Sequence, residues 1–122
     1  MIRRTILSIA ALSLLAASAH AEVTTGEYKA VAKTGHLSPM VKAYVKGMIQ
    51  GITVASAFQQ INGKPALFCT TKDFDDSLDS FEKIIGTYIA IDRPEDIQPL
   101  SITVYEALAK YLKCQDGATA KP

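Results

Sequence analysis

Two cysteines, one histidine and a cluster of carboxylates are the side chains of this sequence best placed to do chemistry. Cys69 and Cys114 are the only cysteines of the chain. They lack the C-x-x-C spacing of a redox or zinc motif, and His36 is the sole imidazole beyond the N-terminal 21 residues. A structural disulfide is therefore expected, in preference to a reactive or metal-binding thiol pair. His36 lies just ahead of Ser38-Pro39, a helix start, with no Cys, Ser or Asp partner in a motif, and reads as a loop histidine without a catalytic role. Asp73, Asp75, Asp76 and Asp79 suggest calcium at first sight. The run lacks the glycine and the closing glutamate of an EF-hand loop, so helix capping is the expected use of its charge. Neither a nucleophile elbow, a P-loop, a zinc signature nor a dinucleotide glycine motif occurs. No enzyme activity, cofactor or metal is expected, and binding is the function class that remains.

The elements that position these groups begin after an export signal. Residues 1–21 carry Arg3 and Arg4, an apolar run from Ile6 to Ala17, and Ala19-His20-Ala21 before Glu22. The apolar run is about a dozen residues, whereas a membrane span needs about twenty, so cleavage after Ala21 and a periplasmic location are expected. Without Arg3 and Arg4, 11 Lys and Arg stand against 12 Asp and Glu, a net charge of −1. These charges are interspersed, which argues against nucleic acid, because phosphate neutralisation needs clustered cations. A soluble chain off the membrane after cleavage is expected.

Residues 22–37 are expected to be weakly structured, with a short helix near 25–33 bracketed by Gly26 and Gly35. Ser38 followed by Pro39 is an N-cap with proline in the first helical turn. The helix it opens should run to about Gln60, burying Val41, Tyr44, Val45, Met48, Ile52, Ala55 and Phe58. Gly47, Gly51 and Ala55 fall one turn apart and predict a groove into which a later helix packs. Asn62-Gly63-Lys64-Pro65 is a turn that should project as a loop, a candidate partner-binding element, and Ala66 to Cys69 is a short apolar segment that needs burial.

A second main helix is expected from about Asp73 to Ile91, burying Phe74, Leu78, Phe81, Ile85 and Tyr88. A third follows Asp96 and buries Leu100, Val104, Tyr105, Leu108, Ala109, Tyr111 and Leu112. Residues 38–114 form the domain, and 115–122 are expected to be a disordered tail. The fold class is all-α: a small single-domain bundle of three main helices and a short N-terminal one, stapled by one disulfide.

Tyr44-x-x-Gly47-x-x-x-Gly51, Phe68-Cys69, Tyr88-Ile89 followed by Pro94, and Ala107-Leu108 followed by Cys114 resemble, in order and spacing, the type VI amidase immunity family and its resistance-associated relatives. The similarity covers about Ser38 to Cys114. Two further cysteines common in that family are replaced by residues such as Ala32 and Val41, and Thr70-Thr71 stands where a proline is usual. The resemblance implies a small periplasmic helical protein, of a family whose members are often homodimers, that binds and blocks a peptidoglycan amidase toxin of type VI secretion through protein–protein interaction. A periplasmic stress or chaperone-like protein and an envelope-complex scaffold are the alternatives.

Overall fold

The computed structural model describes residues 22–115. The signal segment expected at 1–21 and the tail from 116 onward lie outside the described residues. Four helices follow one another: α1 (Thr25–Ala32), α2 (Pro39–Ile61), α3 (Leu78–Asp92) and α4 (Leu100–Tyr111). The described residues form an all-α domain with the Cys69–Cys114 disulfide in place, as expected.

The N-terminal segment is more ordered than its sequence suggests. Thr24 and Glu27 close a capping box on α1: the Glu27 N–H donates to the Thr24 hydroxyl, and Glu27 Oε2 accepts from the Thr24 N–H at 2.7 Å. Tertiary contact then fixes the helix. Thr25 N–H donates to Gln98 O, Gly26 N–H to Asp96 O, and Leu100 N–H to Val23 O, each at 2.9 Å. At Gly26 the two backbones approach so closely that a Cβ would lie 2.9 Å from Asp96 Cβ. Only glycine permits that approach.

Helix α2 starts where Ser38-Pro39 places it, with the Ser38 hydroxyl accepting from Val41 N–H. Its end is followed by a turn with Gly63 at φ 71°, a left-handed conformation that glycine adopts without strain. The chain then folds back along α2: Lys64 N–H donates to Gln59 O at 2.9 Å, and Leu67 N–H to the Ser56 hydroxyl at 2.9 Å. Phe68 is buried by this return, and Cys69 N–H donates to Leu112 O at 2.7 Å, beside the disulfide.

The second main helix begins four to five residues later than its acidic run suggests. Ser77 is the N-cap of α3, and Asp75 caps the turn before it, accepting from the Ser77 N–H and from the hydroxyls of Ser77 and Ser80. These hydroxyl and backbone donors hold the Asp75 carboxyl below the usual range, with the Ser77 hydroxyl contributing most. Phe74 lies in the loop and meets Phe81 edge to face, with ring centroids 5.2 Å apart. Arg93, in the left-handed region at φ 50°, ends the helix.

The core is built from Val45 and Ile49 of α2, Phe81 and Ile85 of α3, and Leu100, Val104, Ala107 and Leu108 of α4, with Tyr28 and Phe68 closing it. Three expectations about faces require correction. Ala55 and Phe58 of α2 are exposed, and Ile49 and Ser56 are buried in their stead. Tyr105 and Tyr111 of α4 are exposed, while Thr103 and Ala107 are buried. Gly47, Gly51 and Ala55 are not an internal packing groove: all three are exposed, and a Cβ added at Gly47 or Gly51 would meet no other part of the chain within 4 Å. No later helix crosses that stripe, because α4 and the returning segment cover the opposite side of α2.

Candidate functional site

The cleft best formed for recognition lies between the middle of α2 and the segment that leads into α3. Its volume is about 320 Å³, and Ile49, Phe68, Leu78 and Phe81 give it an apolar floor. Lys46 and Gln50 rim one side, Thr70 and Asp76 the other. The fold-back of residues 64–69 along α2 creates it, since the hydrogen bonds from Lys64 and Leu67 set this irregular stretch beside the helix. A concave apolar floor with a few polar groups at the mouth suits a bulky apolar side chain brought by a partner, with the two opposite charges orienting what surrounds it.

Asn62, Gly63, Lys64 and Pro65 are all exposed and stand at the end of α2, about two and a half turns beyond Thr53 of the cleft and just before Phe68 of its floor. Asp76, Phe68, Leu78 and Phe81 were each read from the sequence, as a capping charge or as buried side chains, but not as parts of one cleft. Lys46 and Gln50 read as ordinary polar positions of α2, and Phe68 as a buried residue beside a cysteine. Only the turn at Asn62-Gly63, which sends the chain back along its own helix, hinted that both would share a surface.

A second, polar pocket lies between α1, the 33–37 connection, α2 and α3, lined by His36, Lys42, Asp79 and Glu82. It brings the loop histidine near two carboxylates. Lys42 Nζ lies 3.8 Å from Asp79 and 3.9 Å from Glu82. Glu82 Oε1 is shielded from solvent and has no hydrogen-bond partner among the described residues. Burial raises the Glu82 carboxyl above its ordinary range, Lys42 opposes this, and Asp79 adds to it. Burial and the nearby Glu82 charge push the Tyr28 hydroxyl up to about 12.

This geometry makes a sign prediction. A carboxyl raised in the folded state binds its proton more tightly there than in the unfolded chain, so its ionisation costs stability. The cost is absent below the ordinary carboxylate range and fully present above the raised folded value. Glu82→Gln should therefore raise the thermal midpoint at neutral pH, and the gain should vanish on acidification to about pH 3. Thermal melts of both proteins across that range check it; a gain that persisted in acid would assign the effect to packing.

A third polar feature is a hydrogen-bonded chain that ties α1 to α3 and α4. The hydroxyls of Thr25 and Thr103 meet at 2.7 Å in the core, and Gln98 Nε2 donates to both Thr103 Oγ1 (2.9 Å) and Glu106 Oε2 (3.0 Å). Tyr88 donates to the same Glu106 oxygen at 2.8 Å. Burial, then the Glu106 carboxylate, push the Tyr88 hydroxyl up to about 12, so it is a donor and no base at neutral pH. With each group facing another of the set, the chain reads as an internal fastener. Among the described residues, no group of three or more His, Cys, Asp or Glu side chains is arranged to hold a metal, and no helix is long and apolar enough to cross a membrane. No family model, curated protein or solved structure matches this chain.

Proposed function

We propose that this chain is an exported binding protein of the amidase-immunity kind, which blocks a peptidoglycan amidase toxin by occupying its surface and performs no reaction itself. The observation that carries the binding reading is the apolar cleft floored by Phe68, Phe81, Ile49 and Leu78 and rimmed by Lys46 and Asp76, open beside the exposed Asn62–Pro65 loop. Such a pocket accepts the apolar anchor of a partner loop, and the flanking turn widens the contact. The family reading comes from the sequence resemblance, and the disulfide is compatible with an oxidising compartment outside the cytoplasm.

The test is inhibition. An amidase toxin encoded beside this gene, assayed on purified peptidoglycan, should lose activity at a one-to-one ratio of the added protein. Lys46→Glu, and Gly63 with Lys64 replaced by bulky acidic residues, should each weaken inhibition at least about tenfold without lowering the melting temperature. Full amidase activity in excess protein sinks the immunity reading, whereas inhibition untouched by these substitutions sinks the cleft and loop assignment alone.

A periplasmic stress protein is the alternative reading. Glu82 sits where α1, α2 and α3 meet, and its neutralisation in acid relieves a cost and tightens that junction, which does not favour a client face opened by acid. Suppression of light scattering by a denaturing client at low pH, absent at neutral pH, would support that reading over immunity.

A further inference from the structure

Helix α2 carries a second apolar face, separate from the one in the core. Met40, Gly47, Gly51, Val54, Phe58 and Ile61 recur at spacings of three, four and seven residues and share one side of it. All six are exposed, with Met40 81%, Phe58 67% and Ile61 82% accessible. Apart from the weakly accepting methionine sulfur, none has a side-chain hydrogen-bonding group. The stretch from Gly47 to Gly63 is without charge, and Lys46 and Lys64 bracket it.

The charge contributed by this part of the chain has one sign. Interspersed over the whole sequence, cations and carboxylates separate here: residues 28–72 hold six lysines and neither Asp nor Glu. Two of the six are engaged, Lys29 with Asp96 and Lys42 with Asp79 and Glu82. Lys33, Lys46, Lys64 and Lys72 are exposed. We infer that α2 docks flat on an anionic phospholipid surface, its apolar stripe set among the upper acyl chains and Lys46 and Lys64 reaching lipid phosphates at its edge. Long lysine stems allow this, since they lie along apolar surface while the ammonium stays with the headgroups.

A bilayer answers both observations. Below the headgroups it offers no hydrogen-bond partner, and the stripe needs none; at the headgroups it offers negative charge to the lysines. A protein partner supplies about one hydrogen bond per 100–200 Å² of interface, for which the stripe has no groups. Val54, Phe58 and Ile61 together carry about as much hydrocarbon as a single myristoyl chain, which binds bilayers reversibly at about 10⁴ M⁻¹. Each lysine held near an anionic surface adds about fivefold. Among the described residues no helix is long and apolar enough to cross a membrane, so the contact is in-plane. The expectation of a chain off the membrane rested on the lack of a second apolar span, which an in-plane helix does not need. The inference is independent of the immunity reading: the cleft opens on another side of α2, inhibition is assayed without lipid, and vesicle binding without toxin.

Co-sedimentation of the purified, disulfide-bonded protein with vesicles tests it. On vesicles of about two parts phosphatidylcholine to one part phosphatidylglycerol, half the protein should be bound near 0.1 mM accessible lipid, about the value for one acyl chain. Binding should be at least about tenfold weaker on phosphatidylcholine alone, or in about 0.5 M salt, which screens the lysines. Phe58→Asp and Val54→Asp should each weaken it at least about tenfold; both sites are exposed, so thermal melts should stay cooperative. Should either fail to melt cooperatively, fluorescence decides. The chain has no tryptophan, so Phe58→Trp reports its own surroundings. Its emission should shift to the blue with the anionic vesicles, whereas that of Ile91→Trp, exposed on α3, should not. A wild type that stays in the supernatant, equal binding to neutral and anionic vesicles, or a blue shift at Ile91→Trp and none at Phe58→Trp each overturns the proposal.

Discussion

Replacing Cys69 and Cys114 together by serine is expected to lower the free energy of unfolding by about 4 kcal/mol. The bridge spans a sequence separation of 45, and in the chain-entropy account a loop of that length removes about that much conformational freedom from the unfolded ensemble. Its position adds to the effect. Cys69 follows buried Phe68 at the end of the segment returning along α2, and Cys114 follows the last turn of α4, so the bond joins the part of the fold with the least regular structure to its closing helix. The Cys69 N–H bond to Leu112 O is the local contact that must hold the two together once the sulfurs are gone. A domain of this size has a total stability of about 5–15 kcal/mol, so the variant should be near the limit of folding, its melting temperature lower by about 15–30 °C. Urea unfolding of the oxidised protein and the double-serine variant measures the difference. A loss under about 1 kcal/mol would mean that the unfolded chain keeps these ends close without the bond.

Truncation in the shared core should be almost as damaging. Ile85 is fully buried in the middle of α3, among side chains of α2 and α4. Ile85→Ala removes three carbons from a site that helices on both sides hold open, and it should cost about 3–4 kcal/mol through lost transfer energy and an incompletely collapsed cavity. Ile91, six residues on in the same helix, is 65% exposed. Ile91→Ala should cost less than about 0.5 kcal/mol, because alanine is the better helix former and almost no burial is lost. Denaturant midpoints of the pair, read with unchanged slopes, test the assignment of faces. Equal costs would show that α3 is not oriented as described.

Where local chemistry decides, the residues were legible. Ser38-Pro39 set the start of α2, and Asn62-Gly63 set its end, because caps and turns depend on a few neighbouring atoms. The pairing of Cys69 with Cys114 followed from there being no other cysteine. The start of α3 was less legible. Several hydroxyl and carboxylate groups in Asp73 to Ser80 compete for the same backbone donors, and the Phe74–Phe81 contact across the loop favours Ser77 over Asp73. The N-terminal segment looked weak because its own helix is short. Its order comes from three backbone bonds to residues 96–100, a partner more than seventy residues away in sequence for Thr25.

By itself the sequence determined that the chain makes helices, where most of them begin and end, and which residues share each helical face, since a period of 3.6 residues is a local property. Only the tertiary structure decided which face is covered. Helix α2 is apolar on two sides, one through Val41, Val45, Ile49 and Ile52, the other through Met40, Gly47, Val54 and Ile61, and its periodicity does not rank them. The ranking comes from where α4 and the returning segment at Ala66–Cys69 lie, held by the disulfide and by the Leu67–Ser56 bond. They occupy the valine and isoleucine side, and the glycine stripe that looked like an internal groove is left facing outward.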